Sequence, residues 1–391
     1  MKFKIPFSGK AHDYTKEEIE TVITAMKKAE PYTQGDYQRA FEKKFCDFFG
    51  AESAFAVNNA TSALEMSAQL CQFKPGDEVI IPSHTFTSTA YPFAKKGAKL
   101  VWADIDLKTR VVTADMLAKK ITPKTKAMVV VHLYGYAADM TSIVKLAKKH
   151  QILLIEDAAQ SMGTLLDGKM TGTFGDIGVF SLHSHKNITT LGEGGVLVVK
   201  DPEMARIIPM LRHNGHCQFP GEREYYWKPA MGNVDFPLLN GQILWPNNYC
   251  MGEVECALAA KLLDRLELMN SEKRARALTF IDALSGSNIL EFHRDETQRH
   301  NYHLLVARVT NNRRDDIMKF LVCEKEIQCV VQYCPLNRYP FYQKLGFGKA
   351  DCPNTDLFFD NMISFPFHHW MSDQDFEYML QSSLEALEMF S

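Results

Sequence analysis

The chain has 391 residues, of which 46% are hydrophobic and 23% charged, and its formal net charge at pH 7 is −3. This composition is ordinary for a globular protein, and the length favours two domains over one. The nearly balanced charge and the lack of a Lys/Arg-rich block argue against a nucleic-acid partner held by general electrostatics.

The cysteines and the N-terminal segment predict the cellular compartment. Nine cysteines are scattered along the chain with no Cys-x-x-Cys pair, which predicts reduced thiols and no zinc site. The first residues lack the apolar segment of a signal peptide, and no apolar run is long enough to cross a membrane. We therefore predict a cytoplasmic protein with no membrane partner and no metal.

Two amphipathic helices are predicted at the start of the chain. Apolar residues recur at helical intervals after Thr15, which predicts a helix over 15–29 capped by this threonine. A second helix is predicted over 41–49, where Gly50 ends it.

Beyond residue 50, short apolar runs alternate with helical patterns. Near-continuous apolar strands that alternate with helices are typical of a mostly parallel sheet covered on both faces. No Gly-x-Gly-x-x-Gly follows the first strand, which argues against a dinucleotide-binding fold. The predicted strands are 53–57, 78–82, 100–103, 127–132, 152–156, 179–182 and 196–199, and the predicted helices between them are 62–71, 88–96, 114–120 and 140–150.

The stretch 213–247 differs from what precedes it, because it is rich in proline, glycine and aromatic residues and has no periodicity. It predicts either a long ordered loop at a substrate or subunit surface, or a mobile surface excursion. It includes Tyr225, Tyr226, Trp227 and Trp245.

The C-terminal part mixes helix and strand patterns. Helical spacing resumes at Val254, and the later candidates are a strand over 302–309 and helices over 315–321 and 373–389. The chain is therefore predicted to form a large domain, 1–250, which includes the N-terminal helix and the 213–247 loop. A smaller α+β domain, 251–391, is predicted to follow.

An acid and a lysine end two neighbouring predicted strands. Asp157 ends a buried apolar run, and Lys186 lies in the polar turn after another. The C-terminal ends of parallel strands share one edge of a sheet, so both side chains are expected to face one pocket. Pyridoxal phosphate needs a lysine amine for its Schiff base and an aspartate that keeps its pyridine nitrogen protonated. We assign these roles to Lys186 and Asp157; the alternatives are a solvated loop lysine and an acid that caps the next helix.

A second pattern suggests where an anion binds. Thr61 and Ser62 lie where a predicted strand turns into a predicted helix, so their hydroxyls and the free amides of the helix N-terminus suit a phosphate. The alternative is an ordinary Ser/Thr helix cap.

Three further residues follow the strand ends. Phe86 is positioned to stack on a pyridine ring, Gln160 to reach the cofactor hydroxyl, and Ser181 to join the phosphate site. A core phenylalanine and surface or capping side chains are the alternatives. The segment 192–195, Gly-Glu-Gly-Gly, is interpreted as a tight turn into the last strand, because no Lys-Ser/Thr pair follows it.

Several motifs in order along the chain resemble the DegT/DnrJ/EryC1/StrS family, the aminotransferases that act on keto sugars. The motifs are Val131-His132-Leu133-Tyr134-Gly135, Glu156-Asp157-Ala158-Ala159-Gln160, Gly172-Thr173-Phe174-Gly175-Asp176, Phe180-Ser181-Leu182-His183-Ser184-His185-Lys186-Asn187 and Gly192-Glu193-Gly194-Gly195. The resemblance spans nearly the whole chain. It implies the type I pyridoxal-phosphate fold of aspartate aminotransferase.

The resemblance also implies the role of each site residue. Lys186 forms the Schiff base, Asp157 lies under the pyridine nitrogen, Gln160 lies near the cofactor hydroxyl and Phe86 stacks on the ring. Thr61, Ser62 and Ser181 hold the phosphate. The family implies a homodimer with shared active sites, in which Asn248, from the segment Asn248-Tyr249-Cys250-Met251, reaches the phosphate of the other subunit.

Some positions depart from the family pattern. Cys250 replaces a common arginine and Asn337 a common histidine, which puts substrate contacts at both positions in doubt. Asn59 and Ala60 replace the more usual Ser-Gly before the phosphate-site threonine. His185 raises the question of a family branch that carries histidine in place of the lysine and acts as a dehydratase. The spacing from Phe180 assigns the lysine position to Lys186, and His185 is interpreted as its loop neighbour.

The resemblance implies transfer of an amino group from glutamate or a similar donor to a keto sugar, with a nucleotide-linked keto-deoxysugar as the expected acceptor. The product would serve polysaccharide or related amino-sugar biosynthesis. The alternatives are a free keto sugar acid such as an oxidised octulosonate, a small phosphorylated keto compound, a sugar dehydration that uses the same cofactor, and a non-catalytic regulator that binds it.

Overall fold

A seven-stranded sheet forms the centre of the computed structural model, which describes residues 2–219, 232–295 and 298–391. Its strands are β1 (Ala54–Val57), β2 (Glu78–Pro82), β3 (Lys99–Ala103), β4 (Thr125–Val131), β5 (Leu153–Asp157), β8 (Ile177–Ser181) and β9 (Gly195–Val199). The order is β1-β9-β8-β5-β4-β2-β3. The five strands from β8 to β3 are parallel, and β9 runs antiparallel to β8 and β1. The predicted mostly parallel sheet is confirmed.

A second sheet of three antiparallel strands lies in the C-terminal part. Its strands are β14 (Leu290–Phe292), β15 (Leu305–Val309) and β16 (Met362–Phe365). Short two-stranded ribbons complete the described strands: β6 (Leu165–Leu166) with β7 (Lys169–Met170), β10 (His216–Cys217) with β11 (Asn233–Val234), and β12 (Leu238–Leu239) with β13 (Gln242–Ile243).

The helices follow the predicted alternation. They are α1 (Lys16–Lys28), α2 (Asp36–Phe49), α3 (Ala60–Leu70), α4 (Tyr91–Lys95), α5 (Ala114–Ala118), α6 (Met140–His150), α7 (Pro202–Arg212), α8 (Glu253–Leu262), α9 (Leu266–Leu284), α10 (Arg314–Lys319), α11 (Pro340–Lys344), α12 (Pro353–Asn361) and α13 (Asp373–Met389). Thr15 caps α1 in a full capping box with Glu18, as the sequence predicted for this threonine. No described helix has both the length and the apolar character needed to cross a bilayer.

Two predicted helices differ from the structure more than the others do. The helix predicted over 41–49 begins at Asp36, because the distant Glu253 carboxylate accepts hydrogen bonds from the amides of Gly35 and Tyr37, each of 2.8 Å. The helix predicted over 88–96 is a 3-10 turn, Thr87–Thr89, followed by the short α4. Pro92 near the start of α4 lacks an amide hydrogen, which fits a break at this point.

The stretch 213–247 contains the ribbons β10/β11 and β12/β13 in its described part. Tyr225, Tyr226 and Trp227 lie outside the described residues. Several apolar side chains in the described part are largely exposed: Val234, Phe236, Leu238, Ile243 and Trp245.

An aromatic cluster joins the sheet to the first helices. Phe45 and Phe49 of α2 stack at 4.2 Å, and both meet the edge of Phe180 from β8. Helix α8 packs on α1 and α2 beside this cluster, so the chain immediately after residue 250 still contacts helices of the predicted large domain. The division at 250/251 remains a prediction.

Candidate active site

A cavity of about 640 Å³ opens at the C-terminal edge of the parallel strands. Such an edge is where parallel sheets bind ligands. Of the predicted site residues, the cavity brings together all except Asn248: Thr61, Ser62, Phe86, Asp157, Gln160, Ser181 and Lys186. Residues from β5, β8 and the N-terminus of α3 therefore meet in one pocket, as the sequence pattern predicted.

Strand register explains why Asp157 and Lys186 face the same space. Asp157, the last residue of β5, pairs with Val179 of β8, and Lys186 lies five residues after Ser181, the last residue of β8. Burial lowers the pKa of Lys186 to about 8, although the nearby Asp157 charge opposes this shift. An amine with this pKa is partly neutral near pH 7, which suits both nucleophilic attack and proton transfer.

Asp157 is 5% exposed and well supported. Its Oδ2 accepts a hydrogen bond of 2.7 Å from the Thr89 hydroxyl, and its Oδ1 accepts one of 3.1 Å from the Ala159 amide. Burial raises the pKa of Asp157, while both hydrogen bonds and the Lys186 charge lower it. A cation placed against this carboxylate, such as a protonated ring nitrogen, would stabilise its charged form.

The N-terminus of α3 opens onto the cavity. The Asn59 side chain caps α3 by accepting from the Ser62 amide at 2.9 Å, and the Thr61 hydroxyl donates to Ser88 Oγ at 2.9 Å. A Cβ on Gly195 would lie 2.6 Å from the carbonyl carbon of Asn59, so only glycine lets β9 approach the start of this helix. Ser181 Oγ lies at the same cavity, where it accepts from the His183 amide at 3.3 Å.

Phe86 and Gln160 line the cavity with different contacts. Phe86 is 52% exposed, and its ring meets that of Tyr333 edge to face at 5.8 Å. It is therefore not a core phenylalanine, and about half of the side chain is open at the cavity. Gln160 Oε1 accepts from the Tyr134 amide at 2.8 Å, and its Nε2 donates to the Tyr333 hydroxyl at 3.1 Å. The remaining Nε2 hydrogen is the one that a ligand oxygen can use.

Of the four positions that depart from the family pattern, two lie outside the cavity and two line it. Cys250 lies outside the cavity lining, where its Sγ contacts the Arg212 carbonyl oxygen at 3.7 Å. Asn337 also lies outside it, with Nδ2 3.5 Å from the Gly348 carbonyl oxygen. Asn59 and Ala60 line the cavity.

His185 and Asn248 differ in their position relative to the cavity. His185, interpreted as a loop neighbour of the lysine, also lines the cavity. Asn248 is exposed and does not line the cavity of its own chain. Its contact with a second subunit remains a prediction.

A buried hydrogen-bonded pair, His132 and Glu156, supports the strand that carries Asp157. His132 Nδ1 accepts from the Ala138 amide, so its Nε2 carries the proton and donates to Glu156 at 2.8 Å. Glu156 also accepts from the amides of Gly172, Phe174 and Gly175 at 2.6 to 2.8 Å. Burial raises the pKa of Glu156, but His132 and the Gly175 and Gly172 amides outweigh burial and hold the pKa below its usual range.

Several cavity residues were missed by sequence reasoning. They come from the C-terminal part of the chain and from the turn after β2: Ser88, Lys273, His303, Tyr333 and His368. Ser88 follows Phe86 on the same turn, so its proximity to the strand end was an available signal. The other four lie more than 80 residues beyond Lys186 in sequence, and only tertiary folding brings them to the pocket.

The residues of the cavity fit pyridoxal phosphate. A lysine amine, a buried carboxylate, an aromatic face and a helix N-terminus with hydroxyl groups surround one space. They match, in order, the aldehyde, the ring nitrogen, the ring and the phosphate of the cofactor. Fold and site together define a pyridoxal-phosphate-dependent transaminase of fold type I.

The chain belongs to the DegT/DnrJ/EryC1/StrS aminotransferase family, whose model matches residues 13–383. It is 32% identical to the spore coat polysaccharide biosynthesis protein SpsC of Bacillus subtilis, over 98% of this chain and 96% of the relative. It is 33% identical to the GDP-perosamine synthase of Caulobacter vibrioides, over 80% and 79%. The solved PLP-form of Spr1654, a putative sugar aminotransferase of Streptococcus pneumoniae, superposes with a TM-score of 0.85 at 26% identity, with 99% of each chain covered.

These comparisons confirm three predictions from the sequence: the family, the pyridoxal-phosphate fold and the cofactor. The protein is a pyridoxal-phosphate-dependent aminotransferase. The roles of the individual site residues are developed below as proposals.

Proposed function

We propose that this aminotransferase moves an amino group from glutamate, or a similar donor, to a keto sugar, with a nucleotide-linked keto-deoxysugar as the leading acceptor. The observation that carries the proposal is the convergence of Lys186, Asp157 and the N-terminus of α3 on one cavity. The GDP-perosamine synthase and the polysaccharide biosynthesis protein among the relatives support a sugar acceptor and a role in polysaccharide formation.

When bound, pyridoxal phosphate supplies an electron sink for the electron pair left when the donor Cα loses its proton. The Lys186 amine takes that proton from the donor Cα and delivers it to the C4′ carbon of the cofactor. Its pKa of about 8 leaves a neutral fraction near pH 7 that can accept the proton. In the second half of the cycle the same amine moves the proton back, and the keto sugar becomes the amino sugar.

The other residues hold the reacting groups in place. Asp157 keeps a positive charge on the ring nitrogen, and Thr89 and Ala159 fix the orientation of its carboxylate. Phe86 covers one ring face, and Gln160 donates its free Nε2 hydrogen to the ring hydroxyl. The α3 amides with Thr61, Ser62 and Ser181 bind the phosphate.

We further propose that the protein is a homodimer with shared active sites, and that Asn248 reaches the phosphate in the site of the partner. Five large apolar side chains between residues 234 and 245 are 41% to 64% exposed, which is typical of a surface that a partner covers. Asn248 lies three residues beyond Trp245, is itself exposed and makes no contribution to its own cavity. A two-fold symmetric contact at this surface would place Asn248 against the partner subunit.

The experiment that tests the function starts from the visible absorbance of the purified holoenzyme. Adding glutamate should bleach the visible band of the bound cofactor and release one equivalent of 2-oxoglutarate. Nucleotide-linked keto sugars, free keto sugar acids and small phosphorylated keto compounds are then screened for restoration of the band.

The possible outcomes separate the alternatives. Loss of the band without release of a keto acid would contradict amino transfer and favour a regulator. A band indifferent to all amino donors, together with loss of water from a sugar, would favour a dehydratase. His185 beside Lys186 is the residue to examine in that case.

A further inference from the structure

A second lysine lies in the cavity without an acidic partner. Lys273 of α9 lines the cavity and is 6% exposed. Its Nζ donates one hydrogen bond, of 3.2 Å, to the His303 carbonyl oxygen, and lies 5.3 Å from the centre of the Phe367 ring. Within the described ranges no carboxylate forms a salt bridge with it. A buried ammonium without a counter-ion is costly, so its presence in a substrate cavity needs an explanation.

The other basic residues of the cavity are already engaged. Three lysines and no arginine are among the described residues that line it. Lys10 forms a salt bridge with Asp13 at the rim. Lys186 is directed to the cofactor under the proposed function. Among the described lysines that line the cavity, Lys273 is therefore the one available to bind an anionic group of a substrate.

A second polar group next to Lys273 also lacks a partner. His368 lines the same cavity and is 9% exposed, and its buried Nδ1 has no hydrogen-bond partner among the described residues. Burial and the nearby Lys273 charge lower the pKa of His368 to about 4, so the ring is neutral near pH 7. Trp370 packs against the ring at 4.1 Å between centroids and limits its movement. A neutral imidazole with its proton on Nδ1 is a hydrogen-bond donor.

We propose that Lys273 and His368 form an oxyanion subsite that binds a carboxylate or phosphate group of a substrate. An oxyanion would give the Lys273 ammonium its counter-ion and the His368 Nδ1 its acceptor in one step. The phosphate of the cofactor is directed to α3, so this subsite is available for a second anion. The inference rests on the proposed function for its location, because it assumes that Lys186 is taken up by the cofactor.

Both substrates of the proposed reaction carry oxyanions that could bind this subsite. A dicarboxylic donor such as glutamate brings two carboxylates, and a nucleotide-linked or acidic sugar brings phosphate or carboxylate groups. Two probes distinguish them: glutarate, a dicarboxylate that lacks the amino group, and uridine diphosphate, which lacks the sugar. Neither probe undergoes amino transfer, so binding is measured independently of activity.

The experiment is calorimetric titration of the holoenzyme with each probe, for the wild type, Lys273→Met and His368→Phe. Lys273→Met retains the length and apolar stem of the side chain but removes its charge. The affinity of one probe should fall about ten- to hundredfold in Lys273→Met, as for loss of a charged hydrogen bond, and less in His368→Phe. The probe that loses affinity identifies the source of the anion. Lys10→Met is the matched control, with an expected change below twofold, because this lysine is already paired with Asp13.

Three results would overturn the subsite. The first is that Lys273→Met and His368→Phe bind both probes as tightly as the wild type does. The second is that Lys10→Met loses as much probe affinity as Lys273→Met. The third is that the wild type binds neither probe. If Lys273→Met does not fold, as judged by its thermal unfolding, His368→Phe alone decides the outcome. Bleaching of the visible band by glutamate, followed in parallel, reports on the proposed function, so failure of amino transfer and failure of the subsite give different patterns.

Discussion

The hydroxyl of Thr89 donates a hydrogen bond of 2.7 Å to Oδ2 of Asp157, and both residues are almost fully buried. The two side chains come from different segments, the turn after β2 and the end of β5. Hydrogen bonds to a carboxylate stabilise its charged form. Thr89 therefore offsets part of the effect of burial, which raises the pKa of Asp157.

Thr89→Val tests this relationship. The variant retains the shape of the side chain but removes the donor, so a larger fraction of Asp157 should be protonated and its hold on the ring nitrogen should weaken. We expect the cofactor affinity of the apoenzyme to fall about tenfold, the effect of losing one hydrogen bond to a charged group. Titration of the apoenzyme with cofactor, followed by visible absorbance, measures this. Thr89→Ser, which retains the hydroxyl, should stay within about threefold of the wild type.

Lys186→Ala removes the amine proposed to move the proton. Amino transfer should fall by about 10³-fold or more, which corresponds to losing a positioned acid and base together with the cofactor attachment. The visible spectrum should also shift to that of free pyridoxal phosphate. Steady-state rates and absorbance measure both effects, and an unchanged midpoint of thermal unfolding shows that the fold is intact. Full turnover by the variant would refute the assignment.

Glu156→Gln should destabilise the protein by about 3 kcal/mol. Both carboxylate oxygens of Glu156 accept hydrogen bonds from N–H groups, and the NH₂ group that replaces one oxygen in glutamine cannot accept them. The pKa of Glu156 is depressed in the folded state, so its contribution is present above the unfolded-state pKa of about 4.3 and is lost as the pH falls below that. Denaturant unfolding from pH 7 down to about pH 2 should therefore show a difference between wild type and variant that is constant above about pH 4.3 and shrinks below it. Glu203→Gln, in the exposed pair with Arg206, is the control, with an expected change below about 0.5 kcal/mol.

Lys273→Met should stabilise the protein while weakening the binding of an anion. Burial lowers the pKa of Lys273 to about 7, far below the unfolded-state value of about 10.4. The wild type therefore carries the full cost of the buried charge below pH 7 and recovers stability as the pH rises towards 10, where the unfolded lysine also loses its proton. We expect the variant to be more stable by a free energy on the order of a few kcal/mol at pH 6, with the difference shrinking towards pH 10. Denaturant unfolding across this range is the measurement, and a less stable variant at pH 6 would contradict the interpretation of a buried unpaired charge.

Mixing two inactive variants tests whether Asn248 acts in the site of the partner. In a pure dimer of either variant, Lys186→Ala or Asn248→Ala, both active sites are defective. If Asn248 crosses to the partner, a mixed dimer has one site with both defects and one intact site. When equal amounts of the two variants exchange subunits at random, half of the dimers are mixed and one of the two sites in each mixed dimer works. About a quarter of wild-type activity should then return. If Asn248 acted within its own chain, mixing would restore nothing.

The sequence predicted those parts of the fold that depend on local pattern. The strand over 78–82 and the helix over 140–150 have the predicted bounds, because a short apolar run and a helical repeat are signals within one segment. The start of α2 was missed because its cap is the carboxylate of Glu253, more than 200 residues away in sequence. The break before α4 was missed although Pro92, which lacks an amide hydrogen, is a local signal for it.

The same distinction holds at the site. The sequence by itself determined Asp157, Lys186 and the start of α3, because each follows the C-terminal end of a strand and parallel strands bring those ends to one edge. Only the tertiary structure revealed Lys273, His303 and His368, which come from helix and loop segments of the C-terminal part and carry no local signal of a pocket. Their character is also a tertiary property: a lysine becomes an unpaired buried cation only when folding removes it from water and places no carboxylate beside it.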